Sequence, residues 1–143
     1  MKKLLLILIL LPSLAGCRHT APLTGSSTEL CFDRNEVWQL VKIQNKEIHY
    51  TNDRQAIILQ FNPEAKGISG FSGCNNYFGQ YKCDNTSISF TDLGSTRMAC
   101  PDAQMTLENK FLPLLEKVNR YELTCYTLTL YQNERILLVF EKN

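Results

Sequence analysis

The sequence is poor in the residues from which most metal and catalytic sites are built. It contains two histidines, His19 and His49, and no two of its cysteines are separated by only two residues. Zinc sites need clustered Cys and His ligands, and a Ser–His–Asp triad needs a well-placed histidine. No glycine-rich phosphate loop follows a predicted strand. We therefore expect no metal, no cofactor and no catalytic residue, and we expect that the protein is not an enzyme.

The sequence also lacks an excess of charge of either sign. It carries 15 Lys and Arg residues against 14 Asp and Glu residues, a net charge of +1. Two of the lysines lie in the first sixteen residues, so the rest of the chain has a net charge of −1. Proteins that bind nucleic acids concentrate basic residues on one face. No nucleic-acid partner is therefore expected.

Only one long apolar run is present, and it lies close to the start of the sequence. After two lysines, Leu and Ile fill positions 4–11, and the small residues Ala15 and Gly16 follow. A basic start, a short apolar run and small residues are typical of an export signal. The run is too short to span a bilayer, which takes about 20 residues. Residues 1–16 are therefore predicted to be a signal peptide.

The residues around Cys17 predict a lipid anchor. Leu14-Ala15-Gly16-Cys17 resembles the bacterial lipobox. In that motif the cysteine receives a diacylglyceryl group, becomes the new N-terminus and is acylated on its amine. Two or more acyl chains hold a protein stably at a membrane. The alternative is an ordinary cleaved signal that happens to precede a cysteine.

The residues after Cys17 predict a flexible tether and indicate which membrane carries the protein. Residues 18–29 are rich in Thr, Ser, Gly and Pro and show no apolar periodicity, which is typical of a flexible linker. We therefore expect residues 17–29 to hold a folded domain off the membrane of the cell envelope. Because Arg18, and not Asp, follows the lipidated cysteine, the outer membrane is the expected membrane.

Short alternating apolar runs indicate strands in the rest of the chain. Ile57, Leu59 and Phe61 share one face of a strand that ends at the Asn62-Pro63 turn. The other predicted strands lie at 37–43, 68–71, 87–93, 121–125, 127–131 and 136–141. Several strands with one helix predict a mainly β (α+β) domain over residues 30–143, built as an antiparallel curled sheet or a small β-barrel.

A single helix is predicted between Pro101 and Val118. Apolar residues recur at helical spacing and would form one stripe: Leu107, Phe111, Leu114, Leu115 and Val118. Pro113 interrupts this pattern, and an interior proline costs about 3 kcal/mol. We therefore expect a kink or a break near Leu112. The apolar stripe is expected to cover the open side of the sheet.

The cysteine count indicates an oxidising compartment. Six cysteines are present in a short chain with an export signal, which is typical of disulfide-bonded proteins. If Cys17 carries the lipid, five remain, so at most two disulfides form and at least one thiol is left over. Spacing alone does not determine the pairing.

Two motifs stand out, at residues 69–81 and at residues 95–101 followed by Glu108. Together with Trp38-Gln39-Leu40 and the segment from Tyr121 to Leu130, they resemble the META domain, or HslJ-like, family. The resemblance implies a single antiparallel, barrel-like β domain with one helix, often carried on bacterial lipoproteins. It implies no particular reaction.

The resemblance, which covers about residues 37–140, also implies one disulfide. Cys74 and Cys100 stand in the positions that the family pattern gives to cysteine, and they are predicted to pair. A second pair, Cys83 with Cys125, is suggested by the similar hairpins in which the two residues lie.

The motifs contain three further residues whose role the sequence leaves open: Asn75, Arg97 and Glu108. Arg97 and Glu108 could act as an anion clamp and a general base. The favoured alternative is structural, with Arg97 either pairing with Glu108 or binding backbone carbonyls, so that the helix start is tied to the sheet. Asn75 is expected to stabilise a turn or to bind a neighbouring strand.

These observations predict a lipid-anchored, non-enzymatic protein of the cell envelope. Its partners are expected to be the membrane, through the lipid on Cys17, and another envelope protein, which it would bind as a pilot, assembly or stress factor. The alternative is a carrier that holds a small apolar ligand or a lipid in a barrel cavity.

Overall fold

Nine β-strands and one α-helix make up the part of the chain that the computed structural model describes, which is Phe32, residues 36–50 and residues 52–143. The predicted signal peptide, Cys17 and the tether lie outside these residues. The elements are β1 (Val37–Ile43), β2 (Lys46–Glu47), β3 (Ile58–Asn62), β4 (Gly67–Phe71), β5 (Asn76–Cys83), β6 (Ile88–Ser95), α1 (Asp102–Leu115), β7 (Arg120–Leu123), β8 (Thr127–Gln132) and β9 (Arg135–Lys142). A short 3-10 turn covers Asp53–Gln55.

The strands form one antiparallel sheet in the order β6-β5-β4-β3-β1-β9-β8-β7, and β2 pairs with β1. The first strand therefore lies inside the sheet, with Trp38 opposite Leu59 of β3 on one side and Lys142 of β9 on the other. The sheet curls strongly into a half-barrel. The expected antiparallel curled sheet with one helix is confirmed.

The two edge strands of the sheet, β6 and β7, meet at one end of the half-barrel. Ser87 forms an antiparallel bridge with Arg120, and the backbone N–H of Tyr121 donates to the carbonyl of Thr86 at 3.1 Å. The hydroxyl of Tyr121 donates to the carbonyl of Asp84 at 2.8 Å. We call this contact between the β5–β6 turn and β7 the seam.

Side chains fill the concave face of the sheet. Ile57, Leu59 and Phe61 point inward and are at most 2% exposed, as their alternation predicts. At one end, the ring of Phe32 stacks on Phe61 with 3.8 Å between centroids. Trp38 is also fully buried, and its indole nitrogen has no hydrogen-bond partner among the described residues. The interior is therefore a packed core.

The helix α1 packs its apolar side into the half-barrel. Phe111 and Leu115 are fully buried, and the Phe111 ring lies 5.4 Å from that of Tyr77 and 6.4 Å from that of Phe140. These contacts join the helix to β5 and β9. The predicted stripe therefore covers the open side of the sheet.

A kink or a break was expected near Leu112. The break is wrong, because α1 continues to Leu115, and the kink stays a prediction. Proline lacks a backbone donor and crowds the carbonyl four residues earlier, but Pro113 lies only two residues before the end of α1, so little of the helix follows it. Backbone bonds from Glu116 to the Leu112 carbonyl and from Lys117 to the Leu114 carbonyl close the last turn. The burial of Leu115 stabilises this turn.

Strand β5, over Asn76–Cys83, was not predicted at its full length, because glycine and asparagine are poor strand formers. Gly70 of the neighbouring β4 lies opposite Tyr77 of β5. The Tyr77 hydroxyl donates to the carbonyl of Ile58 at 2.9 Å. A Cβ atom at Gly70 would lie 2.8 Å from the Tyr77 ring and 1.9 Å from the Ile58 oxygen. Glycine is therefore required here by close packing.

The seam should make stability depend on pH through Asp84. Its carboxylate accepts the backbone N–H groups of Thr86 (2.9 Å) and Ser87 (2.7 Å) and the Ser87 hydroxyl (2.6 Å). These bonds, the Ser87 hydroxyl above all, lower the pKa of Asp84 from 3.8 to about 2. A lowered pKa stabilises the folded state above the unfolded pKa, and this contribution is lost as pH falls towards about 2.

We therefore expect Asp84→Asn to be less stable than the wild type at pH 7, with a difference that shrinks between pH 4 and pH 2. Urea denaturation at pH 7, 4, 3 and 2 measures this difference. Glu116→Gln, an exposed carboxylate outside the seam, is the control and should show no such trend. A difference between Asp84→Asn and wild type that is the same at every pH would contradict the expectation.

Candidate functional site

The two motifs meet at the carboxylate of Glu108, in the middle of α1. Its Oε2 atom accepts the backbone N–H of Asn75 at 2.9 Å and the hydroxyl of Ser72. Its Oε1 atom accepts the side-chain amide of Asn75 at 2.9 Å. We call these three residues, Ser72, Asn75 and Glu108, the brace. The brace ties the helix to the loop between β4 and β5.

The loop held by the brace is a tight turn over residues 72–75. The backbone N–H of Ser72 donates to the carbonyl of Asn75 at 2.8 Å. Gly73 has a φ of +101°, a conformation that residues with a Cβ rarely adopt. Ser72 and Asn75 are both buried. Buried polar groups must find hydrogen-bond partners, and Glu108 supplies them.

Asn75 also binds the segment that follows β6. Its side-chain oxygen accepts the backbone N–H of Met98 at 2.7 Å and the hydroxyl of Thr96 at 2.9 Å. One buried amide therefore contacts the helix through its nitrogen and the second motif through its oxygen. The expectation was a turn or a neighbouring strand, whereas Thr96 and Met98 lie just beyond the end of β6.

A disulfide joins the same two motifs. Cys74 and Cys100 are bonded with an S–S distance of 2.04 Å and a Cα–Cα distance of 5.9 Å, the pair that the family resemblance implies. Cys83, at the end of β5, and Cys125, between β7 and β8, are each disulfide-bonded. Their pairing with one another stays a prediction.

The structure corrects the expected role of Arg97. Its side chain is exposed, and within the described ranges it forms no ion pair with Glu108. The carboxylate oxygens of Glu108 instead accept hydrogen bonds from Ser72 and Asn75. Glu108 ties the helix to the sheet without Arg97. Sequence reasoning missed Ser72, whose only signal was its position inside the first motif.

A cleft of about 580 Å³ lies beside the brace, between α1 and the segment that contains β2. Apolar side chains of Ile43, Ile48 and Leu107 contribute to its lining. Gly73 also lines the cleft, and a Cβ atom at this position would lie 3.7 Å from Leu107. The loop and the helix that the brace joins therefore form one wall of the cleft.

The opposite wall contains Tyr50. Its hydroxyl donates to the carbonyl of Leu40 at 2.9 Å, which fixes the residues after β2 against β1. Burial raises the pKa of Tyr50 to about 12. The hydroxyl is therefore protonated at physiological pH and remains a donor to the Leu40 carbonyl.

The described residues contain no group of three or more His, Cys, Asp or Glu side chains arranged to hold a metal ion. In the same part of the chain, no helix combines the length and the apolar character needed to cross a bilayer.

Comparison with known families identifies the fold. The sequence model of the META domain matches residues 28–143. The chain belongs to the META domain family. No curated protein matches the chain. In this META domain, the first motif supplies Ser72 and Asn75 of the brace, and Glu108 follows the second motif.

Solved structures resemble this META domain over most of its length. A protein from Burkholderia xenovorans, solved by NMR, has a TM-score of 0.65 and 24% identity, and the match covers 86% of this chain and 99% of that one. A second NMR structure has a TM-score of 0.58 and 26% identity, with 76% and 89% of the two chains covered. A DUF4847 family protein from Bacteroides vulgatus has a TM-score of 0.57 and 12% identity, with 77% and 94% covered.

We expect the brace to be a major contributor to stability. Glu108→Ala leaves the backbone N–H and the amide of Asn75 buried without their acceptor, so the free energy of unfolding should fall by about 2–4 kcal/mol. Guanidinium denaturation measures this loss. Glu116→Ala removes an exposed carboxylate just after α1 and should change stability by less than about 0.5 kcal/mol. Equal losses from the two substitutions would show that the brace contributes no more to the free energy of unfolding than an exposed carboxylate does.

Proposed function

We propose that this META domain is a non-enzymatic binding module of the cell envelope, held at the membrane by a lipid on Cys17. We further propose that it acts by contact with another envelope protein through the cleft. The observation that carries this proposal is that both carboxylate oxygens of Glu108 accept hydrogen bonds from within the protein. Glu108, the residue of the motifs that could act as a general base, instead stabilises the fold and holds one wall of the cleft in place.

The geometry of the brace favours binding over catalysis. A general base must reach the proton of a substrate with a free lone pair. Both oxygens of Glu108 instead accept hydrogen bonds from Ser72 and Asn75 within the protein. The Ser72 hydroxyl is itself buried and points at this carboxylate. These groups therefore favour a structural role.

The packed interior favours the surface cleft over an internal ligand cavity. Trp38, Phe61, Phe111 and Phe140 are at most 2% exposed and fill the space that the sheet encloses. A carrier of a small apolar ligand would need that space to be open. The cleft, by contrast, lies on the outside, and its volume is within the roughly 300–1,000 Å³ of common binding sites.

The anchor is supported by the sequence around Cys17, which lies outside the described residues. Leu14-Ala15-Gly16-Cys17 resembles the lipobox, and residues 18–29 have the composition of a flexible tether. Such a tether would let the domain contact a partner at some distance from the membrane surface. Arg18 after the cysteine favours the outer membrane.

We expect Cys17→Ala to prevent incorporation of an alkyne-labelled palmitate and to move the protein from the membrane fraction to the soluble fraction. Thr24→Ala, a change within the tether, should leave both properties as in the wild type. In-gel detection of the label and fractionation of cells measure the two outcomes. Persistent labelling of Cys17→Ala would place the lipid on another residue and reject this anchor.

Photo-crosslinking in intact cells tests the binding proposal. A photoreactive benzoylphenylalanine at His49, an exposed residue of the cleft, should yield an adduct of defined mass with an envelope protein. The same amino acid at Tyr126, which is 75% exposed and does not line the cleft, should not yield that adduct. If His49 gave no adduct, or both positions gave the same one, the cleft would not be the contact surface.

A further inference from the structure

Two lysines face the cleft from its two walls, Lys46 on β2 and Lys110 on α1. Both are exposed, and within the described residues neither forms an ion pair. The acidic residue of the lining, Glu47, lies with its carboxylate 3.2 Å from Lys42. Asp102 offsets the partial positive charge of the helix start. The two lysines therefore dominate the charge of the cleft, which is positive.

The rest of the lining is neither purely apolar nor purely polar. Ile43, Ile48 and Leu107 offer apolar contact, whereas the side-chain amides of Gln44 and Gln104 each offer a donor and an acceptor. A free inorganic anion would leave the apolar side chains unused, and an acyl chain would leave the amides unpaired. A peptide segment has apolar side chains together with backbone N–H and C=O groups, so it can satisfy both.

The size of the cleft also favours a short segment over a folded surface. Its volume is about 580 Å³. A standard interface between two folded proteins buries about 800 Å² on each partner. A concave site of this volume instead suits a few residues of extended chain, which can enter between β2 and α1.

We infer that the cleft binds an acidic segment of the partner protein, with an Asp or Glu side chain placed near Lys46 and Lys110 and a neighbouring apolar side chain on Ile43, Ile48 and Leu107. This inference rests on the proposed function and names the chemistry of the partner. Complementary charges of this kind select partners and speed association, and their effect falls as salt rises.

The test uses the full chain in intact cells, with benzoylphenylalanine at His49. The double variant Lys46→Glu/Lys110→Glu reverses both charges of the cleft and should lower the yield of the adduct at least tenfold. The matched control is Lys82→Glu/Lys117→Glu, which changes the same number of exposed lysines outside the cleft and should lower the yield less than twofold. Circular dichroism of the purified variants checks that each is folded.

Mass spectrometry of the crosslinked peptide supplies a second readout. The partner's segment should contain an Asp or Glu, and changing that residue to Lys should restore the adduct in the Lys46→Glu/Lys110→Glu variant. Equal yields from the two double variants, or a segment without acidic residues, would overturn the inference while the cleft remained a contact site for an envelope protein. A crosslinked lipid in place of a protein would overturn both the inference and the proposed function. If the protein with its native lysines gave no adduct, the proposed function would fail, and the inference with it.

Discussion

The carboxylate of Glu108 is the contact on which the geometry of the site depends. Hydrogen bonds between an ionised carboxylate and N–H donors are roughly twice as strong as neutral ones. One helix residue thereby fixes the loop over residues 72–75, and the amide of Asn75 extends this order to Met98 and the second motif. The Cys74–Cys100 bond joins the same segments covalently. The cleft has its shape because these contacts fix one of its walls.

Local pattern predicted the elements well where burial alternates along the chain. Ile57, Leu59 and Phe61 show this, since a strand with one buried face has a period of two. The pattern failed at β5, where Asn76 and Gly79 are poor strand formers held in the sheet by their neighbours on both sides. It also predicted a break near Pro113 that is absent. The burial of Leu115 stabilises the end of the helix, and this tertiary contact cannot be predicted from local sequence.

The candidate site was predictable only in part, for a similar reason. The motifs identified Asn75 and Glu108, but the sequence could not show that Ser72, and not Arg97, contacts the carboxylate. The cleft was not predicted at all. Its walls come from segments around residues 43–50, 73 and 103–110, and only the folded chain brings these together. Sequence order carries no signal for a surface that is built from distant segments.

If the chain is exported, as proposed, the position of the first strand affects when the domain can fold. β1 lies between β3 and β9, and Gln39 faces Glu141 across about one hundred residues of intervening chain. A chain that crosses a membrane from its N-terminal end would deliver β9 last. The centre of the sheet would then stay open until that strand arrived, so the domain would remain unfolded and competent for translocation throughout the crossing. High contact order, which slows folding, would in this setting protect the chain from folding too early.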